Sequence, residues 1–399
     1  MRRALPAMSL VIFFTACQGA SPLHGPSSVL PLARNHTNAG SLGPVLTTSD
    51  GGEIFGFDVD RSGNDGVLAS ASANQISAQT FNTTSGKITK TIGVKSGHPV
   101  AKGDDYVTDG IFAGDVALID FQRAGKPGVT PAKDMYRVMN PAGGKKFTGR
   151  WNPTIKLFNI VESAVNQDTA TSVVYGYERI GSDAPKLVVS NVGKNTVSKV
   201  IPLDPSQFYL ADTPQLAQDT VNDLAVIATS PSDGRAGGPP PVIATVDLSS
   251  GQVTEFNGVD CPGLAGCGSA NGIGYDSQTG VACTTTELDG GVEFYDVAKQ
   301  TGFREFMPGQ TGQLTAGTYV VNDPINKLFL IAQPFSSTAP SGSSVQVFGE
   351  DGSFLESIDG FDFTGAGFYV IPTKVAINPK RRTGWVNGPG ADQLQEFSY

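Results

Sequence analysis

Carboxylates are the one plentiful reactive resource in this chain: Asp and Glu number 37, and only three histidines occur. Carboxylates can do acid–base work or hold a hard cation such as calcium, which takes roughly six to eight oxygen ligands. The candidates are Asp104 with Asp105 and Asp109, Asp219 with Asp223, Asp260, Asp289 and Asp323. Each lies in or beside a Gly-, Asn- or Pro-rich turn, where Asp is favoured for its hydrogen bonds to nearby backbone. Turn-making therefore accounts for most of them, and a calcium site would need several to converge from different strands.

Elimination narrows the chemistry further. His24 and His36 fall in a polar N-terminal stretch, so the body holds a single histidine, His98, in the loop-like KSGHPV. A Ser-His-Asp or Cys-His nucleophile would have to be built on it, and multi-histidine metal sites are excluded by count. No GxxxxGK[ST] phosphate loop occurs. A formal net charge of −9 repels phosphate backbones, so nucleic acid is not an expected partner. Two basic spots stand out. Lys380-Arg381-Arg382 reads as a solvated hairpin turn. GGKKFTGRWNP sets Lys145, Lys146 and Arg150 beside Trp151, which offers charge and stacking to an anionic or sugar ligand, although a structural tryptophan is the plainer reading.

The elements that must position these groups repeat. From residue 53 onward the sequence runs as β-type segment, polar turn, β-type segment, loop and two more such segments, at a spacing of roughly 45 residues. The clearest copy is Gly272 to Phe306, GIGYDSQTGVACTTTELDGGVEFYDVAKQTGFREF. A second runs from Gly317 to Phe361, in which NDPINK answers YDSQTG. A third spans Val221 to Phe256 and an earlier one starts at Ile54. Gly110 to Met139 and Ile155 to Pro202 are less regular. The last unit, from Thr373, supplies only three strands, and the apolar segment Leu42 to Thr48 can supply the fourth. The repeat predicts an all-β chain forming a single β-propeller of about seven four-stranded blades, closed by an N-terminal strand. Two stacked β-sandwiches are the alternative, less suited to one turn pattern carried through the chain.

The N-terminus reads as an address. Arg2 and Arg3 precede an apolar run, Leu5 to Phe14, and Thr15-Ala16-Cys17 follows. This is an export signal too short to span a membrane as an anchor. It resembles a bacterial lipoprotein signal, with Phe14 where Leu is usual, which implies lipid attachment at Cys17; simple secretion is the alternative. The expected organisation is a signal over residues 1–17, a flexible tether over 18–41 and the propeller over 42–399, placed in the periplasm or on the outer cell surface. An oxidising compartment suits Cys261 and Cys267 in CPGLAGCG as a disulfide, leaving Cys283 free and buried; a Cys261 to Cys283 bridge is the runner-up.

The stretch Ser269-Ala-Asn-Gly-Ile-Gly-Tyr-Asp276 resembles the PNGxxxD pattern that opens blades in the gluconolactonase-like, NHL and YVTN-type propellers. In the gluconolactonase-like group the residue matching Asn271 is a metal ligand, so the resemblance implies a calcium-dependent hydrolase or lactonase using Asn271 with Asp105, Asp219 or Asp323. Thr284 to Thr286 stands where that group has an aspartate. The reading preferred here is a non-enzymatic, membrane-tethered binding or scaffold protein that takes up a protein, peptide or glycan at a propeller face without a cofactor. The calcium-dependent enzyme is the alternative, and a carbohydrate lyase or quinone enzyme, with only Trp151 and Trp385 to dock on, comes third.

Overall fold

The computed structural model describes residues 40–60, 62–72, 76–94, 105–113, 116–123, 133–139, 159–167, 169–177, 185–192, 194, 196–204, 215–229, 242–257, 270–286, 291–306, 319–333, 343–361, 374–388 and 390–399. All belong to one compact unit, Asn38–Tyr399. Period-two alternation of apolar and small polar residues produces 27 strands among them. After β1 (Ser41–Thr47), blade I is β2 (Glu53–Val59), β3 (Asp65–Ala71), β4 (Ile76–Asn82) and β5 (Lys87–Val94). Next comes a three-stranded sheet of β6 (Asp105–Ala113), β7 (Val116–Arg123) and β8 (Lys133–Met139).

Four further consecutive sheets follow. Blade II is β9 (Asn159–Asn166), β10 (Thr171–Tyr177), β11 (Lys186–Asn191) and β12 (Thr196–Pro202). Blade III is β13 (Gln215–Asp219), β14 (Leu224–Thr229), β15 (Val242–Asp247) and β16 (Val253–Asn257). Blade IV is β17 (Ala270–Asp276), β18 (Val281–Thr286), β19 (Val292–Asp296) and β20 (Thr301–Phe306). Blade V is β21 (Tyr319–Asp323), β22 (Leu328–Gln333), β23 (Ser343–Gly349) and β24 (Phe354–Phe361). Blade VI is β25 (Val375–Asn378), β26 (Thr383–Asn387) and β27 (Gln393–Ser398), completed by β1. Each blade is an antiparallel meander, and the first strands follow one another in contact from β9 through β13, β17, β21 and β25 to β2.

The molecule is a single all-β propeller, as the repeat predicts, but the described residues form six four-stranded blades and not seven. Among the described residues, the unit starting at β6 contributes three strands. Residues 140–158 after β8 read NPAGGKKFTGRWNPTIKLF, with two prolines and three glycines and no period-two run. Proline cannot donate to a ladder and glycine weakens a strand, so the sequence offers no good fourth strand there.

The core lies between blades, where the face of one sheet packs on the next. Tyr175 and Leu187 of blade II meet Ile227 and Val246 of blade III. Phe294 of blade IV packs on Phe329 and Phe348 of blade V. Burial of each such side chain is worth about 1.5–3 kcal/mol.

The N-terminal strand closes the ring as expected. β1 runs antiparallel to β27, with Leu46 paired to Leu394. Only Leu46 points inward, into a cluster with Ile54, Phe57 and Trp385. Two glutamines at matching places in third strands, Gln79 opposite Leu68 and Gln395 opposite Val386, hold the two ends of this segment. Gln395 Nε2 donates to the Gly43 carbonyl. Gln79 Oε1 accepts from the Ser49 N–H at 2.9 Å, and its Nε2 donates to Asp50 Oδ1 at 2.8 Å. Ser77 Oγ also donates to Asp50. Burial alone would raise the Asp50 pKa, but the Ser77 hydroxyl, the Gly52 N–H and the Gln79 amide outweigh it and hold the carboxyl below its ordinary 3.8.

Candidate functional site

The first hairpin turns of blades II to VI share one construction. The first strand ends on Asn166, Asp219, Asp276, Asp323 or Asn378, four residues turn the chain, and the second strand begins. The Asx oxygen satisfies the turn: Asp219 Oδ1 accepts from the N–H groups of Val221 and Asn222, both at 2.9 Å. Asp323 Oδ1 accepts likewise from Ile325 and Asn326, at 3.0 and 2.9 Å. The fourth turn residue takes a positive φ in each case: Ala170, Asp223, Gly280, Lys327 and Arg382. For the four that are not glycine this costs roughly 1–2 kcal/mol. Its carbonyl is then captured by the N–H just beyond the third strand, from Val192, Leu248, Val297, Glu350 and Tyr399 in turn, at 2.8–3.1 Å. These turns, and those joining third to fourth strands, lie at the same end of every meander.

At this end the side chains join each blade to the next. Between blades III and IV, the Tyr275 hydroxyl donates to Asp219 Oδ2 at 2.8 Å, and the Thr220 N–H donates to Ser277 Oγ at 2.9 Å. Between V and VI, the Tyr399 hydroxyl donates to Asp323 Oδ2 at 2.8 Å and Asn326 Nδ2 to the Pro379 carbonyl at 2.9 Å. Burial first, and then the facing carboxylate, keeps both tyrosines protonated and so fixed as donors. Between VI and I, Asn378 Nδ2 donates to the Gly63 carbonyl at 2.7 Å. Gly63 has a positive φ of 73°, and a Cβ there would sit 1.9 Å from Asn378 Nδ2, so only glycine fits. Gln167, in the turn after β9, reaches blade I through Asp58 Oδ2 and the Val59 carbonyl at 3.2 and 3.3 Å.

The seam between IV and V differs. Asp276 occupies the position of Asp219 and Asp323, and Glu350 the position of Tyr399, as the shared backbone bond shows. Asp276 Oδ1 accepts from the Gln278 N–H at 2.7 Å. Both Asp276 Oδ2 and Glu350 Oε1 are buried, and no N–H or O–H of a described residue reaches either. Lys327 Nζ stands 3.5 Å from Glu350 Oε2. Burial, followed by the Asp276 carboxylate, pushes the Glu350 pKa up to about 7 against the pull of Lys327.

Of the proposed metal ligands, Asp219 and Asp323 stand in separate blades. Each is fully buried and already accepts four hydrogen bonds, the fourth from its own Asn222 or Asn326 amide at 2.8 and 2.7 Å. They serve as joints, with no lone pair turned to a shared point. Asp105 and Asn271 lie on β6 and β17, and their side chains are outside the described residues. Among the described residues no three His, Cys, Asp or Glu side chains gather as a metal would require. Cys17, Cys261, Cys267, His98 and the group Lys145, Lys146, Arg150 and Trp151 fall outside the described residues as well. Cys283 is free and buried, which removes the Cys261 to Cys283 bridge. Trp385 is 1% exposed and lies edge-on to Phe81 at 5.3 Å, a core residue between blades VI and I. Of the basic turn, Arg381 donates to Thr84 Oγ1 in blade I and Arg382 sits over the Tyr399 ring at 5.6 Å.

Sequence reasoning missed Tyr275, Tyr399 and Glu350 as partners of the turn aspartates. No shared position marked them: Tyr275 stands just before Asp276 at the end of a first strand, whereas Tyr399 and Glu350 follow a third strand. What remains open to solvent at this end is apolar in two equivalent places. Val221 and Ile325, each two residues past its aspartate, are 65% and 58% exposed. A β-branched side chain displayed at a turn tip has no packing role within the blade. The two tips stand on blades III and V, with the hydrophilic Gln278 in the same position on blade IV between them.

No family model and no curated protein matches the sequence. Solved structures do match the fold. U3-55K is similar with a TM-score of 0.59 at 12% identity, over 89% of this chain and 98% of that one. The Cps50 (Swd1) β-propeller domain of Myceliophthora thermophila gives 0.58 at 9% identity, over 90% and 100%. The Pan2 WD40 domain of Neurospora crassa gives 0.57 at 10% identity, over 90% and 94%. At this identity the likeness is one of fold: the chain is a β-propeller.

Proposed function

We propose that this chain is an exported, membrane-tethered β-propeller that binds a protein partner on its tight-turn face and carries out no chemistry on it. The observation that carries this reading is the pair of exposed tips, Val221 and Ile325, raised on turns whose carboxylates are satisfied internally. Exposed aliphatic groups on rigid supports suit the apolar anchors of a protein interface. The buried carboxylates and tyrosines beneath are committed to joining blades, which supports a scaffold over a catalyst. The similar WD40-type structures accord with a binding propeller at the level of fold. The basic n-region, apolar run and Cys17 support export and lipid attachment.

Photo-crosslinking residues placed at Val221 and Ile325, with Val200 on the outer strand β12 as control, test the binding face. One protein crosslinked from both tips and not from Val200 is the expected result. The purified partner should then bind Ile325→Asp at least about tenfold more weakly, the loss of roughly 1.4 kcal/mol. Equal crosslinking from Val200, or unchanged affinity in the variant, would overturn the reading. Palmitate labelling of the wild type and its loss in Cys17→Ala test the anchor.

A further inference from the structure

The seam between blades IV and V is the positional counterpart of that between V and VI, but its donor is of a different kind. At the aspartates of blades III and V the next blade supplies a tyrosine hydroxyl, which holds its proton under all ordinary conditions. At Asp276 the group presented from blade V is Glu350. Its place is secured by the repeat: the Glu350 N–H bonds to the Lys327 carbonyl as the Tyr399 N–H bonds to that of Arg382, at 3.1 Å each. A carboxylic acid can do what the tyrosine does, but only while protonated. Two buried carboxylates facing each other without a proton repel, and neither Asp276 Oδ2 nor Glu350 Oε1 has another described donor to turn to.

We propose that the seam between blades IV and V is a proton-operated latch, closed when Glu350 holds a proton that it donates to Asp276 and loosened when that proton passes to water. The charged groups around Glu350 are Asp276 at the end of β17, Lys327 in the β21–β22 turn, Asp351 in its own turn and Arg304 of β20. The Arg304 stem lies directly under Gly352, where a Cβ would meet its Cγ at 2.7 Å. Lys327 is 60% exposed, so it partly offsets the cost of an ionised Glu350 and does not cancel it. The opened seam leaves Lys327 free to pair with the ionised Glu350 in water. Opening also loosens the turn that carries Ile325, two residues from Lys327.

The sign follows from the two states. An exposed glutamate has an ordinary value of 4.5, and in the closed seam burial and then Asp276 push Glu350 up to about 7. The closed state therefore binds the extra proton between these values. The contribution it makes is fully present below about 4.5 and is lost as pH climbs through about 7. Tyrosine seams have no such dependence in this range, which supplies a control inside the same molecule.

Hydrogen exchange read by mass spectrometry on the full chain, corrected for intrinsic chemical exchange, tests the latch without reference to any ligand. Between about pH 5 and pH 7.5, opening of the turns at residues 277–280 and 350–353 should increase by more than about tenfold. The turns at residues 220–223 and 324–327 face Tyr275 and Tyr399; of these, 220–223 should stay level. Glu350→Gln offers an amide donor at every pH and should hold the seam closed with a flat profile. Lys327→Met should move the wild-type profile to higher pH. A flat wild-type profile, or a Gln variant that keeps the dependence, would overturn the proposal. So would calcium closing the seam at about pH 8, which would make the pair a cation site.

Discussion

At the scale of single residues, the aspartates that looked most available for chemistry turn out to be the most fully used. Asp219 and Asp323 each cap their own turn and receive a tyrosine from the next blade. Removing the hydroxyl in Tyr275→Phe leaves a buried carboxylate oxygen short of one donor, which should cost about 1.5–3 kcal/mol. Tyr399→Phe should cost a similar amount; urea unfolding measures both, and the slope should be unchanged because no extra surface is exposed. A loss below about 0.5 kcal/mol would mean that the joint is not tight. The turn role of these aspartates was legible in the sequence, since NDPIN and QDTVN are turn formers by composition. Their tyrosine partners were not, because they stand 56 and 76 residues away and only the ring brings them together.

At the scale of elements, the sequence displays its strands wherever period two is regular. Gly272 to Phe306 and Gly317 to Phe361 correspond to blades IV and V, and the Leu42 to Thr48 segment does complete the last blade. The count failed at β6–β8, where Pro- and Gly-rich sequence follows the third strand. Side-chain alternation reports a strand but not how many neighbours it will pair with. Closure by β1 rests on a ladder, one inward leucine and the Asp50 network. Leu46→Ala should thus cost about 2–5 kcal/mol, with loss of amide protection along β27 before that of the other blades. Uniform loss across the blades would show that β1 does not fray on its own. The Asp50 carboxyl is held below 3.8, so what it contributes is present above that value and is lost as pH falls below it through the lower folded value. Asp50→Asn should remove this part of the acid sensitivity, measured as the midpoint of acid unfolding followed by Trp385 fluorescence.

At the scale of the whole molecule, the ring is a circuit of seams, and it matters whether strain at one is felt at another. The core is divided into clusters that each bridge two blades, and no described side chain spans the circuit. Changes at separate seams share no partner and should add. Changes within one seam touch and should not. Tyr275 joins blades III and IV, Tyr399 joins V and VI, and Arg382 lies on the Tyr399 ring. Tyr275→Phe with Tyr399→Phe should therefore sum to within about 0.5 kcal/mol of the single losses, whereas Tyr399→Phe with Arg382→Ala should depart from additivity by roughly 0.5–3 kcal/mol. Equilibrium unfolding of the three single variants and the two doubles decides the point. If the distant pair couples as strongly as the touching pair, the ring behaves as one elastic body. A latch between blades IV and V would then be read at every face of the propeller. If the distant pair adds, the effect of Glu350 stays within its own seam and reaches solvent through the turn that carries Ile325.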